Sequence, residues 1–325
     1  MSFGCVLLIA QHAVQLRLID VPNLRSSHQT PIPRGGGLGV VAGVASGVLV
    51  LAALGMGPSR QLAILLFGTA GIAALGAIED RHALGARYRL SIQILIATGT
   101  VISVGPVERL PLPPPLDLSL GWLSIPLTVL WVVSVTNFYN FMDGIDGLAG
   151  GQAVGSCIGV VVASWSMGAT QLAILLASAA VGFLALNWPP ARIFLGDSGS
   201  TLLGFTISSL PLLAPVGHRP AAVLAVAIGL SLFLLDPVET LQRLVRSGKR
   251  IGEPHRSHSY QILASTPERH RGVATAMTVA GLVLGLGGAL AYRVEGAAWP
   301  VILLGITAFA GERFLANRVS TRGAG

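Results

Sequence analysis

The sequence predicts an all-α, polytopic integral membrane protein with about ten or eleven spanning helices. Of its 325 residues, 52% are hydrophobic and only 11% charged, and the apolar residues gather into blocks long enough to cross about 30 Å of hydrocarbon. Charge is also sided. All but four of the 21 Lys and Arg fall in alternate connections between those blocks.

Taken in order, the candidate spans are residues 3–19, 37–54, 61–78, 90–107, 122–141, 147–168, 170–186, 200–216, 221–241, 273–292 and 297–314. Each is an apolar run of about 17 to 22 residues, the length of a membrane-crossing helix. The first is the most polar, with Gln11, His12, Gln15 and Arg17, and no basic segment of a secretory signal precedes it. No internal repeat is visible, so residues 1–325 read as one transmembrane domain containing a long basic connection, 242–272. The 41 glycines suit close helix contact in lipid. Cys5 and Cys157 lie in apolar blocks at no metal or redox spacing and read as packing residues.

The basic face contains the segments around residues 17–36, 79–89, 140–146, 187–199 and 242–272 and the C-terminal tail, leaving Arg60, Arg109, Arg219 and Arg293 opposite. By the positive-inside rule that face is cytoplasmic. A pI near 10.4 thus reflects topology and affinity for anions rather than nucleic-acid binding. Of the 14 acids, all but Glu108, Asp117 and Glu295 lie on or near the same face. Snorkelling and helix capping account for some of them. Their gathering at a membrane boundary nevertheless suggests a site, because such groups are costly there unless paired, solvated or metal-bound.

Four stretches supply its chemistry. In TNFYNFMDGIDGLAGG, Asn137, Asn140 and Asp143 recur at helical neighbour spacing, followed by Asp146 and turn glycines. A polar helix end would explain any one of them but not all four together. FLGDSGS sets Asp197 before an apolar span; it is either an N-cap or a carboxylate for Mg²⁺ beside helix amides that receive a phosphate. LGAIEDRHALGARYRL places Glu79 beside Asp80, and adjacent carboxylates can divide labour because like charge drives their pKa values apart. DVPNLRSSHQTPIPRGGG brings Arg25, His28 and Arg34 before a glycine run that suits a backbone anion cradle or close packing equally. In the long connection, His255, Arg256 and His258 lie among further arginines. Two histidines make an incomplete zinc set, and the crowd of cations suits a pyrophosphate clamp.

In their order, these stretches resemble the polyprenyl-phosphate N-acetylhexosamine-1-phosphate transferases, glycosyltransferase family 4, over nearly the whole chain. The RSSH…PRGGG opening and the HRSH loop look most like the branch that initiates O-antigen. No triple-histidine motif of the peptidoglycan translocases is present. The resemblance implies transfer of an N-acetylhexosamine 1-phosphate from a UDP-sugar to undecaprenyl phosphate, with release of UMP, at the bacterial cytoplasmic (inner) membrane with the site facing the cytoplasm. It implies Mg²⁺, or Mn²⁺ in its place, with Asn140 and Asp197 as metal contacts. Asp143 and Asp146 would be at the nucleotide-sugar site, His255, Arg256 and His258 near the pyrophosphate, Arg34 among the substrate contacts, and Glu79 and Asp80 catalytic. The family usually has Asp-Asp where this chain has Glu79-Asp80, and usually more residues in the first span. Membrane lipids and a second copy in a homodimer are compatible partners; nucleic acid is not expected. Phosphoryl transfer between two anionic substrates needs charge neutralisation and alignment more than a strong nucleophile, which suits this residue set. The alternative class is a secondary transporter of an anionic solute. Transporters set coupling charges near the midplane within inverted repeats, and neither feature is seen here.

Overall fold

The computed structural model describes residues 1–16, 18–20, 31–82, 84–113, 115–248 and 258–322. Among them the fold is all-α apart from one small antiparallel pair, β1 (Ile19–Asp20) with β2 (Ile32–Pro33). The helices in chain order are α1 (Ser2–His12), α2 (Gly36–Ala53), α3 (Arg60–Glu79), α4 (Ala86–Val104), α5 (Ser124–Phe141), α6 (Leu148–Ala163), α7 (Met167–Asn187), α8 (Asp197–Ser209), α9 (Arg219–Gly229), α10 (Ser231–Arg246), α11 (Ser259–Leu263), α12 (Pro267–Arg293) and α13 (Ala298–Arg322).

Local sequence accounts for many of the boundaries. Ser59 and Ser166 cap α3 and α7 by accepting from Leu62 N–H at 3.3 Å and Ala169 N–H at 3.2 Å. Pro267 opens α12 where its missing N–H costs nothing. Among the described residues, six helices are long and apolar enough to cross a membrane alone, or seven when the bent pair α9–α10 is counted as one span. The other expected spans correspond to the shorter α1, α6 and α8 and to α4, whose first turn carries Arg87 and Arg89.

Two expected spans are corrected. The first ends at His12, well short of residue 19; a turn over residues 13–16 follows, and then β1. The ninth is broken. After Gly229 the chain bends by 74°, and α10 leaves as an amphipathic helix burying Leu232, Phe233, Asp236, Thr240 and Leu244. The expected connection 242–272 is also largely helical where described, shared among the end of α10, α11 and the start of α12.

Nearly every residue of α6 and α8 is buried, so these two helices form the centre. Small residues permit that crowding: a side chain added at Gly155 would fall 2.7 Å from the Gly281 backbone of α12, and one at Gly76 of α3 would fall 2.6 Å from Asp197 and Ser198 of α8. The C-terminal ends of α3, α5 and α7 and the N-terminal ends of α2, α6 and α8 consequently meet at one end of the bundle.

Candidate active site

Three short connections build that end. The turn before α8 runs beside the β pair, where Phe194 N–H donates to Pro33 C=O and Arg34 N–H to Leu18 C=O, both at 2.8 Å. Gly36 and Gly37 then donate their amides to the Phe194 and Leu195 carbonyls, again at 2.8 Å. This decides between the two readings of the glycine run: it is a packing device, and those amides are spent on backbone rather than on an anion.

Asp80 follows the last residue of α3 and its side chain is 1% exposed. Its two oxygens accept from the N–H groups of Asp197 at 2.8 Å and Ser198 at 3.0 Å, so a carboxylate from another helix caps α8. The amides expected to receive a phosphate are therefore already filled. Gly196 makes this approach possible. Its φ of +77° disfavours other residues, and a Cβ there would lie 2.8 Å from both Asp80 oxygens.

Arg34 bridges the two acids, with Nε 3.0 Å from Asp80 Oδ1 and Nη2 3.4 Å from Asp197 Oδ2. Burial pulls its pKa down, but the carboxylates of Asp197, Asp80 and Asp20 outweigh it and hold the guanidinium above its usual range. Asn140, in the last turn of α5, donates through Nδ2 to Asp197 Oδ1 at 2.9 Å and to Ser200 Oγ at 2.8 Å. Its amide oxygen is the atom left to meet a cation.

Asp143 follows in the turn between α5 and α6. Burial and then the Asp197 carboxylate push its pKa up to about 7, with Asp80 and Asp146 adding and Arg34 opposing. Asp146 is tied sideways, accepting from Ala191 N–H at 3.0 Å. Asn187, the first residue of the 187–199 connection and not among the expected site residues, holds the same turn: Gly147 N–H donates to its Oδ1, and its Nδ2 donates to Ile193 C=O, each at 2.9 Å. Four carboxylates, those of Asp197, Asp80, Asp20 and Asp143, thus act on one guanidinium. Asp197, Asp143 and Asn140 offer oxygen donors, the kind a hard divalent cation takes. Among the described residues, no three His, Cys, Asp or Glu side chains could hold a metal ion by themselves.

Glu79 turns away from this cluster to Arg89 of α4, with Oε1 2.9 Å from Nη1. Arg89 lines an apolar groove of about 1050 Å³ between α4, α5 and α10, together with Leu90, Ile94, Val133, Asn137 and Phe141. Asn137 of that wall is one helical turn from Asn140. His258 lies on the same groove, buried, with Nδ1 3.2 Å from Asp236 Oδ1. Its neighbour Tyr260 donates O–H to Phe141 C=O at 3.0 Å, which holds α11 against the end of α5. The structure brings together Arg34, Asp80, Asn140, Asp143 and Asp197, with Asp146 at their edge, and leaves Glu79 and His258 at the groove. His255 and Arg256 lie outside the described residues.

Comparison with known proteins agrees with this architecture. The profile of glycosyl transferase family 4 matches residues 62–214. A probable undecaprenyl-phosphate N-acetylglucosaminyl 1-phosphate transferase of Bacillus subtilis is 31% identical over 271 residues, covering 81% of this chain and 74% of that protein. The undecaprenyl-phosphate alpha-N-acetylglucosaminyl 1-phosphate transferase of Escherichia coli K12 is 30% identical over 317 residues, 91% of this chain and 83% of its own. A decaprenyl-phosphate N-acetylglucosaminephosphotransferase of Mycobacterium tuberculosis H37Rv is 30% identical over 301 residues, 80% and 72% respectively. This all-α chain of the bilayer belongs to glycosyl transferase family 4.

Proposed function

We propose that the protein transfers an N-acetylhexosamine 1-phosphate from a UDP-sugar to undecaprenyl phosphate, releasing UMP and leaving a polyprenyl diphosphate sugar. The observation that carries this reading is the junction of a long apolar groove with a charged cluster, one turn of α5 apart. A polyprenyl chain needs the first and a diphosphate needs the second. The named activities of the relatives support the same reaction, and the RSSH…PRGGG resemblance favours initiation of O-antigen. The basic excess at this end of the bundle supports a site facing the cytoplasm of a bacterial inner membrane.

Arg34 would neutralise donor phosphate oxygens, and Asp80 would hold the start of α8 so that Asp197 keeps its place. Asp143 and Asp146 would face the nucleotide sugar, and His258, with His255 and Arg256, the lipid phosphate and the pyrophosphate. Mg²⁺, when bound at Asn140 and Asp197, supplies the charge neutralisation that these residues leave incomplete. The lipid phosphate is largely ionised at neutral pH, so Glu79 and Asp80 organise charge more than they remove a proton. Its oxygen attacks the donor's β-phosphorus, the bond from that phosphorus to the UMP oxygen breaks, and the sugar–phosphate bond survives.

A donor labelled with ³²P at the β position tests this with purified protein and undecaprenyl phosphate. The label should enter the organic-extractable lipid, and added UMP should drive it back. Label left in water as UDP while the sugar enters lipid would mean attack at the anomeric carbon and would overturn the proposal.

A further inference from the structure

The bend between α9 and α10 leaves backbone groups that the two helices do not satisfy between them. Helical bonding runs as far as Leu230 N–H to Val226 C=O at 2.9 Å and resumes with Leu234 N–H to Leu230 C=O, also at 2.9 Å. Between lie the carbonyls of Ala227, Ile228 and Gly229, at a buried helix end where an unfilled acceptor is costly. Side chains fill them. The Ser231 hydroxyl donates back to Ile228 C=O at 2.5 Å and lies 3.4 Å from Ala227 C=O, while Gly229 C=O accepts from Gln152 Nε2 at 2.9 Å.

Gln152 belongs to the central helix α6 and is 1% exposed. Its Nε2 also donates to Ser156 Oγ, one turn on, at 2.9 Å. Helix α12 makes room for the amide: a Cβ at Gly281 would lie 2.7 Å from Gln152 Oε1. A glutamine serving only itself would find a partner on its own helix in Ser156. The other bond crosses to a different helix, at the place where a carbonyl has been freed.

We infer that Gln152 is a positioning residue for the acceptor groove: by holding the Gly229 carbonyl it fixes the bend, and with it the wall that α10 gives to the groove. The inference deepens the proposed function and rests on it for the identity of the acceptor. Thr240 and Leu241 of α10 line the groove. Thr240 is about 13 Å along the helix from Ser231, so a change of about 10° in the bend displaces it by about 2 Å. A gap of that size forfeits most of the van der Waals contact between the wall and a hydrocarbon chain. Further along, Glu239 meets Arg313 of α13 at 3.4 Å. That tie joins α10 to another late element, whereas the bond from Gln152 fastens its pivot to the buried centre of the bundle.

Gln152→Met in the full-length purified protein tests this, because methionine keeps the length and the helix propensity while removing the donor. Gln152→Leu carries the same expectation and serves where the first variant does not fold. Nitroxide labels at Val245→Cys, in the last turn of α10, and Leu95→Cys, in α4, are both on exposed positions, 61% and 72% respectively. Cys5→Ala removes the half-buried native thiol, and Cys157 is fully buried. Pulsed electron resonance should find the mean distance between the labels moved by about 2–4 Å relative to Gln152 protein, the lever arm of α10 under the same change of bend. KM for undecaprenyl phosphate should rise about five- to tenfold, the worth of one hydrogen bond, while KM for the UDP-sugar stays unchanged. An unmoved distance in a folded variant, or an equal rise in KM for both substrates, would overturn the inference. A moved α10 with no acceptor-dependent transfer even by the wild type would instead refute the proposed reaction and leave the role of Gln152 in the bend standing.

Discussion

Replacing Asp143 by asparagine should make the cation-free protein more stable at neutral pH, the reverse of the usual outcome for a site residue. The Asp143 carboxyl is raised from 3.8 to about 7 by burial and by the Asp197 carboxylate. A shift of about 3 units corresponds to roughly 4 kcal/mol of differential interaction, and because Asp143 keeps part of its surface exposed this is an upper bound. The sign follows from linkage. Between about pH 4 and pH 7 the folded state holds a proton that the unfolded chain has lost, so the group's contribution is fully present below pH 4 and lost as pH rises to 7. The substituted amide carries no charge to lose. Its advantage over aspartate should therefore grow from nothing near pH 4 to about 2–4 kcal/mol at pH 8 when chelator removes divalent cations.

Mg²⁺ should reverse this, because an ion bound among Asn140, Asp197 and phosphate favours ionised Asp143. Thermal unfolding in detergent, followed by tryptophan fluorescence at pH 5 and pH 8 with EDTA or with Mg²⁺ and UDP, reads both effects. Wild type should gain from Mg²⁺ at pH 8 and little at pH 5, and Asp143→Asn should gain little at either. If Asp143→Asn is less stable than wild type at pH 8 in EDTA, the like-charge account of this turn is wrong.

Other substitutions probe neighbouring parts. Asp197→Asn keeps the volume and can remake the bond to Asn140, so insertion and folding should persist while Mg²⁺-dependent label transfer falls by about 10²-fold or more; unchanged turnover across a Mg²⁺ titration would remove Asp197 from the metal site. Gly196→Ala meets both an unfavourable φ of +77° and the Asp80 carboxylate, and should cost about 1–3 kcal/mol and most activity. Gly99→Ala in α4, with nothing within 4 Å, should match or slightly exceed wild-type stability in the same melting assay. Glu79→Asp should retain turnover, whereas Glu79→Gln, which leaves Arg89 without its carboxylate, should lose about tenfold; equal activities in the two would mean that charge at Glu79 is not used.

Most of the fold was legible because lipid imposes a length and a polarity on each span: α2, α3, α5 and α7 match their apolar runs closely, while α12 starts earlier, at Pro267, and α13 runs on to Arg322. The break between α9 and α10 was not. Residues 221–241 form one apolar run, yet the chain bends by 74° between Gly229 and Ser231, where the Ser231 hydroxyl donates back to Ile228 C=O. Within the site, the gathering of Asn140, Asp143 and Asp197 followed from alternate connections sharing one face. Their division of tasks did not. That Asp80 caps α8, that Arg34 bridges Asp80 to Asp197, and that Asn187 holds the turn before α6 depend on which backbone groups lie across the gap, and no spacing in the chain encodes that.

Glu79 and Asp80 show why adjacency in sequence misleads at a helix end. Successive residues on a helix point about 100° apart, so two neighbouring carboxylates at the end of α3 reach different partners unless the chain turns to join them. Here it does not. Glu79 faces α4 and its Arg89 beside the groove, while Asp80 faces the first turn of α8. A longer side chain at 79 is consequently no defect. The extra methylene carries its carboxylate to Arg89 at 2.9 Å, whereas Asp80, which must sit against backbone amides, has the shorter reach that capping requires. The two acids hold two different partners from two sides of one helix end: Glu79 meets Arg89 on the groove wall, and Asp80 meets the first turn of the helix that carries Asp197.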